Sequence, residues 1–253
     1  FLLFKTQVTQ PMERANSKRP MISWALYDRA NSAFATTVMA GFFPVFFKSY
    51  WYSDAEATQS TLALGMGNAI AGLVIAVMAP VLGAIADRGS AKRRFLFTMV
   101  FLGVVSTAAL FFIAEGQYLL ALFVYVVAVI GFESATTFYD SLIVSVSDEK
   151  SRVSVSALGY SLGYLGGGVL FTLNVLMALN PEWFGLADDA AAVRVSFLTV
   201  AVWWTLFTIP LYLWVKEPRD PHAVSGMVAV RGGIQQLAQT IKEVGSLKVV
   251  ATF

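Results

Sequence analysis

The sequence predicts an all-helical, membrane-spanning protein, and three observations carry that prediction. Hydrophobic residues make up 57% of the 253 residues and charged ones only 13%, about half the charged share of a soluble domain. Six apolar runs approach the ~20 residues a helix needs to cross the hydrocarbon core. None alternates with period two, and backbone groups cannot go unpaired in lipid, so the runs read as helices rather than barrel strands.

The opening FLLFK is too short for a signal-peptide core and precedes a polar stretch, Thr6 to Pro20, so residues 1–21 read as a cytoplasmic tail. Phe1 in place of an initiator Met suggests an incomplete or processed start. The first span is expected over 23–47, the second over 61–86, the third over 95–114, the fourth over 118–139, the fifth over 156–179 and the sixth over 195–215. Together they form a six-helix bundle over 22–215.

After the sixth span, Lys216-Glu217-Pro218-Arg219-Asp220-Pro221 breaks the helix. Ile234, Leu237, Ile241 and Val244 then recur at steps of three and four, which predicts an amphipathic helix at the inner membrane surface within a linker over 216–253. Residues 248–253 turn apolar and read as a possible start of a seventh span.

Orientation follows from the basic residues, which accumulate on the cytoplasmic side. With both termini cytoplasmic, Lys18, Arg19, Arg88, Lys92, Arg93, Arg94, Lys150, Arg152 and Lys216 fall inside, with Arg29 at the inner edge, while Lys48 and Arg194 fall outside. Asp54, Glu56, Glu115, Glu182, Asp188 and Asp189 mark the external loops. Trp24 and Trp214 are expected in the inner aromatic belt and Trp51 and Trp183 in the outer one, whereas Trp203 and Trp204 sit mid-span. The formal net charge of +2 offers no bulk attraction for nucleic acid. Absence of cysteine excludes disulfides, Fe–S clusters, thiolate zinc sites and cysteine nucleophiles.

A repeat spaced by three helices is visible. Spans one and four each join an acidic residue to small polar ones, Asp28-Arg29-Ala30-Asn31-Ser32 and Glu133-Ser134-Ala135-Thr136-Thr137. Spans two and five carry small-residue stripes: Gly65, Ala69, Gly72, Ala76, Ala79 and Gly83 in one, Gly159, Gly163 and Gly167 in the other. Such stripes let helices pack closely, and a three-plus-three inverted repeat is the architecture of each half of many secondary transporters.

Four stretches carry a family resemblance. Gly83-Ala84-Ile85-Ala86-Asp87-Arg88-Gly89-Ser90-Ala91-Lys92-Arg93-Arg94 resembles the signature joining helices two and three of the major facilitator superfamily, with Ser90 at the second glycine position and the basic cluster one residue late. There Gly83 would permit close packing, Asp87 would accept hydrogen bonds or pair with a cation, and the basic cluster would anchor the turn at anionic headgroups. Ser23-Trp24-Ala25-Leu26-Tyr27-Asp28-Arg29-Ala30-Asn31-Ser32-Ala33-Phe34 resembles the opening motif of the vacuole-effluxer-like (autophagy-related amino-acid effluxer) branch of that superfamily, with Arg29 where the branch commonly shows Trp. The stretches from Gly159 to Gly168 and from Trp203 to Pro210 resemble its fifth and sixth helices. The resemblance implies the N-terminal half of a secondary transporter working by alternating access. It implies a small-molecule substrate, an amino acid first among them, and a bacterial inner (cell) membrane location.

Ionisable side chains within a span are costly and usually face a cavity or a partner. Asp28 with Arg29, Glu133 and Asp140 are the ones that qualify. Glu133, Thr137 and Asp140 share one face of helix four, with Glu133 ~22 Å along a helix that enters from outside. Asp28, Asn31, Ser32 and Thr36 form a polar face on helix one. In the resembled fold both helices line the central cavity, so the two stripes are expected to face each other. Glu133 is the first candidate for a proton-coupling carboxylate, with pairing to Arg29 as the competing structural reading. Asp140 is expected to pair with Arg88 or Arg93 and lock helix four to the second turn.

No cofactor or metal site is written in the chain, and enzyme motifs such as H-E-x-x-H are absent. The single His222 lies in the polar stretch after the last span. The competing function class is a self-contained six-helix scaffold or channel subunit. Under the transporter reading the expected partners are a small-molecule substrate, membrane lipid, and a missing C-terminal half or a second copy, without which this half transports nothing.

Overall fold

A computed structural model describes residues 18–88 and 92–217, with the backbone alone described at 80 and 84–88. The tail before Lys18 and the linker 218–253, with its expected amphipathic helix, possible seventh span and His222, lie outside the described residues. Six helices are long and apolar enough to cross a membrane, and the described residues contain no strand. They are α1 (Lys18–Trp51), α2 (Ala57–Arg88), α3 (Lys92–Phe112), α4 (Tyr118–Ser145), α5 (Arg152–Leu179) and α6 (Asp189–Trp214). The protein is a multi-pass integral membrane protein. The start of α4 and the end of α5 fall where hydropathy places them. Most other ends run several residues further, because a helix keeps its hydrogen-bonded ladder into the headgroup layer after its side chains have turned polar.

The packing order repeats after three helices. α1 lies along α5 and α6, and α4 lies along α2 and α3, while α3 and α6 touch each other. The first helix of each triple therefore packs against the second and third of the other. That exchange is what a three-plus-three inverted repeat requires.

α1 is not a uniform helix. It is α-helical over Lys18–Ala33, π-helical over Phe34–Phe42, α-helical over Phe43–Phe46 and π-helical again over Phe47–Trp51. Pro44 has no N–H to offer the carbonyl of Ala40 and its ring crowds that carbonyl. The wider turn relieves the conflict, and the Phe43 N–H reaches back five residues to the oxygen of Val38.

The core is aromatic and layered. Toward the α1 C-terminus, Phe43 stacks on Tyr125 with ring centroids 3.8 Å apart, and Trp51 stacks on Phe197 at 5.8 Å. In the middle, Phe34 packs on Phe132 and Trp204. Near the α1 N-terminus, Trp24 stacks on Tyr139 at 4.4 Å and donates from Nε1 to the Tyr139 carbonyl at 3.0 Å. This corrects the belt expectation for two tryptophans. Trp24 and Trp51 are buried core residues, 3% and 0% exposed, whereas Trp183 and Trp214 are exposed. Hydropathy locates a tryptophan along a span but not its direction around the helix.

Between α3 and α4 the chain turns at Gly116, whose φ of 79° lies in the left-handed region that favours glycine. Its N–H is tied to the Tyr50 carbonyl at 3.2 Å, joining that turn to the end of α1.

The two small-residue stripes have different fates. Gly159, Gly163 and Gly167 of α5 are buried against α1. On α2, Gly65, Ala69, Gly72, Ala76 and Ala79 are exposed, and nothing described lies within 4 Å of a Cβ built at Gly65, Gly72 or Gly83. The close approach expected at Gly83 is therefore not made by the described residues, and the α2 stripe forms an outer face of this bundle.

Candidate functional site

The polar stripe of α1 lies over the glycine groove of α5. A Cβ placed on Gly163 would sit 2.7 Å from Ser32 Oγ and 3.0 Å from Asp28 Oδ2, and one on Gly167 would sit 3.0 Å from Thr36 Oγ1. At the end of the groove a Cβ on Gly159 would meet Trp24 at 3.0 Å and the Tyr139 hydroxyl at 3.1 Å. The absent side chains of Gly159, Gly163 and Gly167 let Asp28, Ser32 and Thr36 lie between two closely packed backbones. Thr36 uses its hydroxyl on its own helix, donating to the Ser32 carbonyl at 2.9 Å.

Toward α4 the contact is narrower. Asn31 is buried and its Nδ2 lies 3.5 Å from Thr136 Oγ1. Thr136 stands beside the expected α4 stripe of Glu133, Thr137 and Asp140 rather than in it, so no described hydrogen bond joins that stripe to α1. Asp28, Ser32 and Thr36 are instead turned toward α5, because α1 is wedged between the two helices and can offer each only part of its surface. Asp28, Ser32, Ala35 and Met39 stay half-buried along the strip of α1 that remains open.

Glu133 is half-buried on α4. Its backbone carbonyl accepts from Thr137 Oγ1 at 3.1 Å, so the Thr137 hydroxyl serves its own helix. No hydrogen bond or ion pair among the described residues engages the Glu133 carboxylate. Arg29 is elsewhere. Its guanidinium carbon lies 5.2 Å from the centre of the Trp203 ring and 4.8 Å from that of Phe207, both on α6. Its side-chain stem lies against Gly166 of α5. Trp203 closes the arrangement by donating from Nε1 to the Arg29 carbonyl at 3.0 Å. The Arg29–Glu133 pair is therefore not formed. One residue along a helix rotates a side chain by about 100°, which carries Arg29 to the α5–α6 side while Asp28 stays near the open face. This also accounts for mid-span Trp203, whose ring lies beside a cation.

Asp140 is exposed near the end of α4, close enough to Asp28 for the two carboxylates to interact. Its expected partner Arg93 points away: Nη2 donates to the Tyr212 carbonyl at 2.5 Å, and the guanidinium lies over Phe97 and Tyr212. The side chains of Asp87 and Arg88 lie outside the described residues. The lock between α4 and the second turn is thus not made through Arg93.

Sequence reasoning missed two features. Tyr160 and Tyr164 of α5 are exposed, at 63% and 65%, with hydroxyls 2.9 Å apart, and Tyr160 lies within electrostatic range of Asp28. Their spacing of four residues is a visible helical pair, but nothing in the pattern separates it from lipid-facing residues. The second is Gly131. A Cβ there would lie 2.7 Å from the Gly103 nitrogen and 2.9 Å from the Met99 carbonyl oxygen, so α3 and α4 cross backbone to backbone two residues before Glu133. Gly103 in turn is covered by Trp204, 2.6 Å from where its Cβ would be.

Asp28, Glu133 and Asp140 thus leave three half-buried or exposed carboxylates on the partly open faces of α1 and α4, with Asp140 and Tyr160 of α5 within electrostatic range of Asp28. No described cation pairs with any of the three. Such faces favour protons and cationic groups. Among the described residues no cluster of His, Asp and Glu is arranged to hold a metal ion.

Residues 16–147 and 143–253 match the sequence profile of the family described as vacuole effluxer Atg22 like. A relative from Bacillus subtilis (strain 168), named as an uncharacterized MFS-type transporter, YxiO, is 38% identical over 237 residues, covering 91% of this chain and 54% of the relative. Autophagy-related protein 22 of Yarrowia lipolytica is 27% identical over 127 residues, 42% of this chain and 21% of that protein. A protein of Aquifex aeolicus is 26% identical over 183 residues, 72% of this chain and 43% of its own length. The chain spans about half the length of these two bacterial relatives. No solved structure matches.

Proposed function

Because the chain belongs to the vacuole effluxer Atg22-like family, we propose that it forms one six-helix half of a secondary active transporter that moves a small solute by alternating access. The observation that carries this reading is that Asp28 on α1 and Glu133 and Asp140 on α4 are half-buried or exposed and unpaired by any described cation. Intramembrane carboxylates usually mark a substrate, ion or proton path. Unpaired, they are available to a proton and to the ammonium group of a substrate. An amino acid fits this chemistry, its ammonium directed to the carboxylates, and transport is proton-linked, whether by symport or efflux.

In this reading Glu133 takes and releases the coupling proton. Asn31, Ser32 and Thr137 border the path, and Asp28 acts together with the neighbouring Asp140. The small-residue stripe of α2 is the face that meets the remaining half of the transporter, since it packs on nothing described here. Cytoplasmic termini accord with Arg88 at the end of α2 and Lys92, Arg93 and Arg94 at the start of α3, and a bacterial inner membrane accords with the bacterial relatives.

Two measurements test the reading. The full-length protein, reconstituted in vesicles, is expected to accumulate a radiolabelled amino acid saturably when a pH gradient is imposed. Passive, unsaturable conductance instead would favour a channel subunit. For orientation, single cysteines introduced at the exposed positions 54 and 189 should react with an impermeant maleimide from outside the cell; these 253 residues contribute no native cysteine to the background. Labelling from the cytoplasmic side alone would reverse the topology.

A further inference from the structure

α3 and α6, which contribute none of the three carboxylates, enclose a groove of about 540 Å³ lined by Arg93, Arg94, Phe97, Thr98, Phe101 and Tyr212. Its two ends differ in chemistry. At the basic end stand two adjacent arginines; from there Arg94, Thr98 and Phe101 climb one face of α3, with Phe97 beside them. Phe101 is 69% exposed, so an aromatic surface about 10 Å long runs from the arginines toward the middle of the span.

The arginines are held but not neutralised by any described carboxylate. Arg93 is braced by the Tyr212 carbonyl through Nη2 and by the rings of Phe97 and Tyr212, yet its buried Nε has no hydrogen-bond partner. No hydrogen bond or ion pair among the described residues engages the Arg94 guanidinium. The carboxylate nearby, Glu217, is committed to the start of α3, where it accepts from the Lys92 and Arg93 backbone N–H groups at 2.9 and 3.3 Å. A guanidinium N–H and a whole guanidinium, both without a partner among the described residues, therefore share the basic end of a groove whose remaining wall is mostly apolar.

We propose that this groove binds an anionic phospholipid of the leaflet on the basic side, its phosphate held by Arg93 and Arg94 and an acyl chain lying on Phe97 and Phe101. The rings argue for a lipid over free phosphate, which has no use for an apolar wall, and basic pockets between spanning helices suit anionic headgroups. The linker is the competing occupant. Its Arg219, Arg231, Lys242 and Lys248 outnumber Asp220 and Glu243, so it matches the charge of the arginines poorly. The assignment rests on α3 and α6 crossing the membrane and not on the transport reading.

Native mass spectrometry of the full-length protein tests it with phosphatidylglycerol and phosphatidylethanolamine of identical acyl chains. Arg94→Gln is the informative variant, because Arg94 is exposed and braces nothing described. It is expected to weaken phosphatidylglycerol binding about fivefold, the share of one basic residue at an anionic surface, and to leave phosphatidylethanolamine unchanged. Phosphatidylglycerol binding that Arg94→Gln does not alter would overturn the proposal, as would displacement of the lipid by millimolar inorganic phosphate. p-Benzoylphenylalanine at position 101, irradiated in phosphatidylglycerol vesicles, should cross-link to lipid. A cross-link to a peptide from 218–253 would instead assign the groove to the linker.

Discussion

Glu133→Gln is expected to abolish uptake driven by a pH gradient in the full-length transporter while exchange of substrate across the membrane continues. An amide keeps the shape and hydrogen-bonding capacity of the carboxyl group but cannot take or release a proton. Folding should survive, and the structure supplies the reason. Removing one partner of a buried ion pair typically costs ~3–5 kcal/mol, but the Arg29 cation lies over Trp203 and Phe207, so no described cation is orphaned when Glu133 becomes neutral. Gradient-driven uptake and counterflow measured on the same preparation separate coupling from binding. Normal pH-dependent uptake by the variant would remove Glu133 from the proton path. A collapse in yield that Arg29→Met then rescues would reinstate the ion pair.

The second large effect is structural. Gly131→Val is expected to lower the membrane yield and melting temperature of the protein sharply, with Gly131→Ala intermediate. Side-chain atoms inserted into a packed interior cost roughly 1–3 kcal/mol, occasionally more, and position 131 belongs at the severe end. The atoms its Cβ would meet are the backbone of Gly103 and the carbonyl of Met99, which cannot step aside by changing a rotamer. Gly168→Ala is the matched control: it lies in a glycine-rich helix, but nothing described lies within 4 Å of its Cβ. Because Gly131 fixes the α3–α4 crossing two residues before Glu133, surviving Gly131→Ala protein should also transport poorly. Full stability of Gly131→Val would mean that α3 and α4 do not cross so closely.

Much of the candidate site was legible residue by residue. Asp28, Glu133 and Asp140 stand out because charge in an apolar run is rare and costly, and that judgement needs no coordinates. Their partners were not legible. Asp140 and Arg93 lie near the same end of the bundle, yet Arg93 turns to Tyr212. The α2 and α5 stripes look alike in sequence, yet one lies against α1 and the other faces outward. The Gly103–Gly131 crossing carries no motif at all, since each glycine stands alone in its own helix.

The sequence by itself determined the number of spans, the all-helical class, the repeat after three helices and the family. Lipid makes those properties local: each backbone group must be satisfied within its own segment, so a run of about twenty apolar residues declares a helix whatever surrounds it. Only the tertiary structure decided which way each helix is rotated, and so whether Trp24 meets lipid or Tyr139, and whether Arg29 meets Glu133 or the rings of α6. Helix rotation is set by close contacts between residues far apart in the chain, such as Gly163 with Ser32 and Gly131 with Gly103. One residue of register turns a side chain by about 100°, and the spacing of residues along a single helix holds no record of what stands opposite.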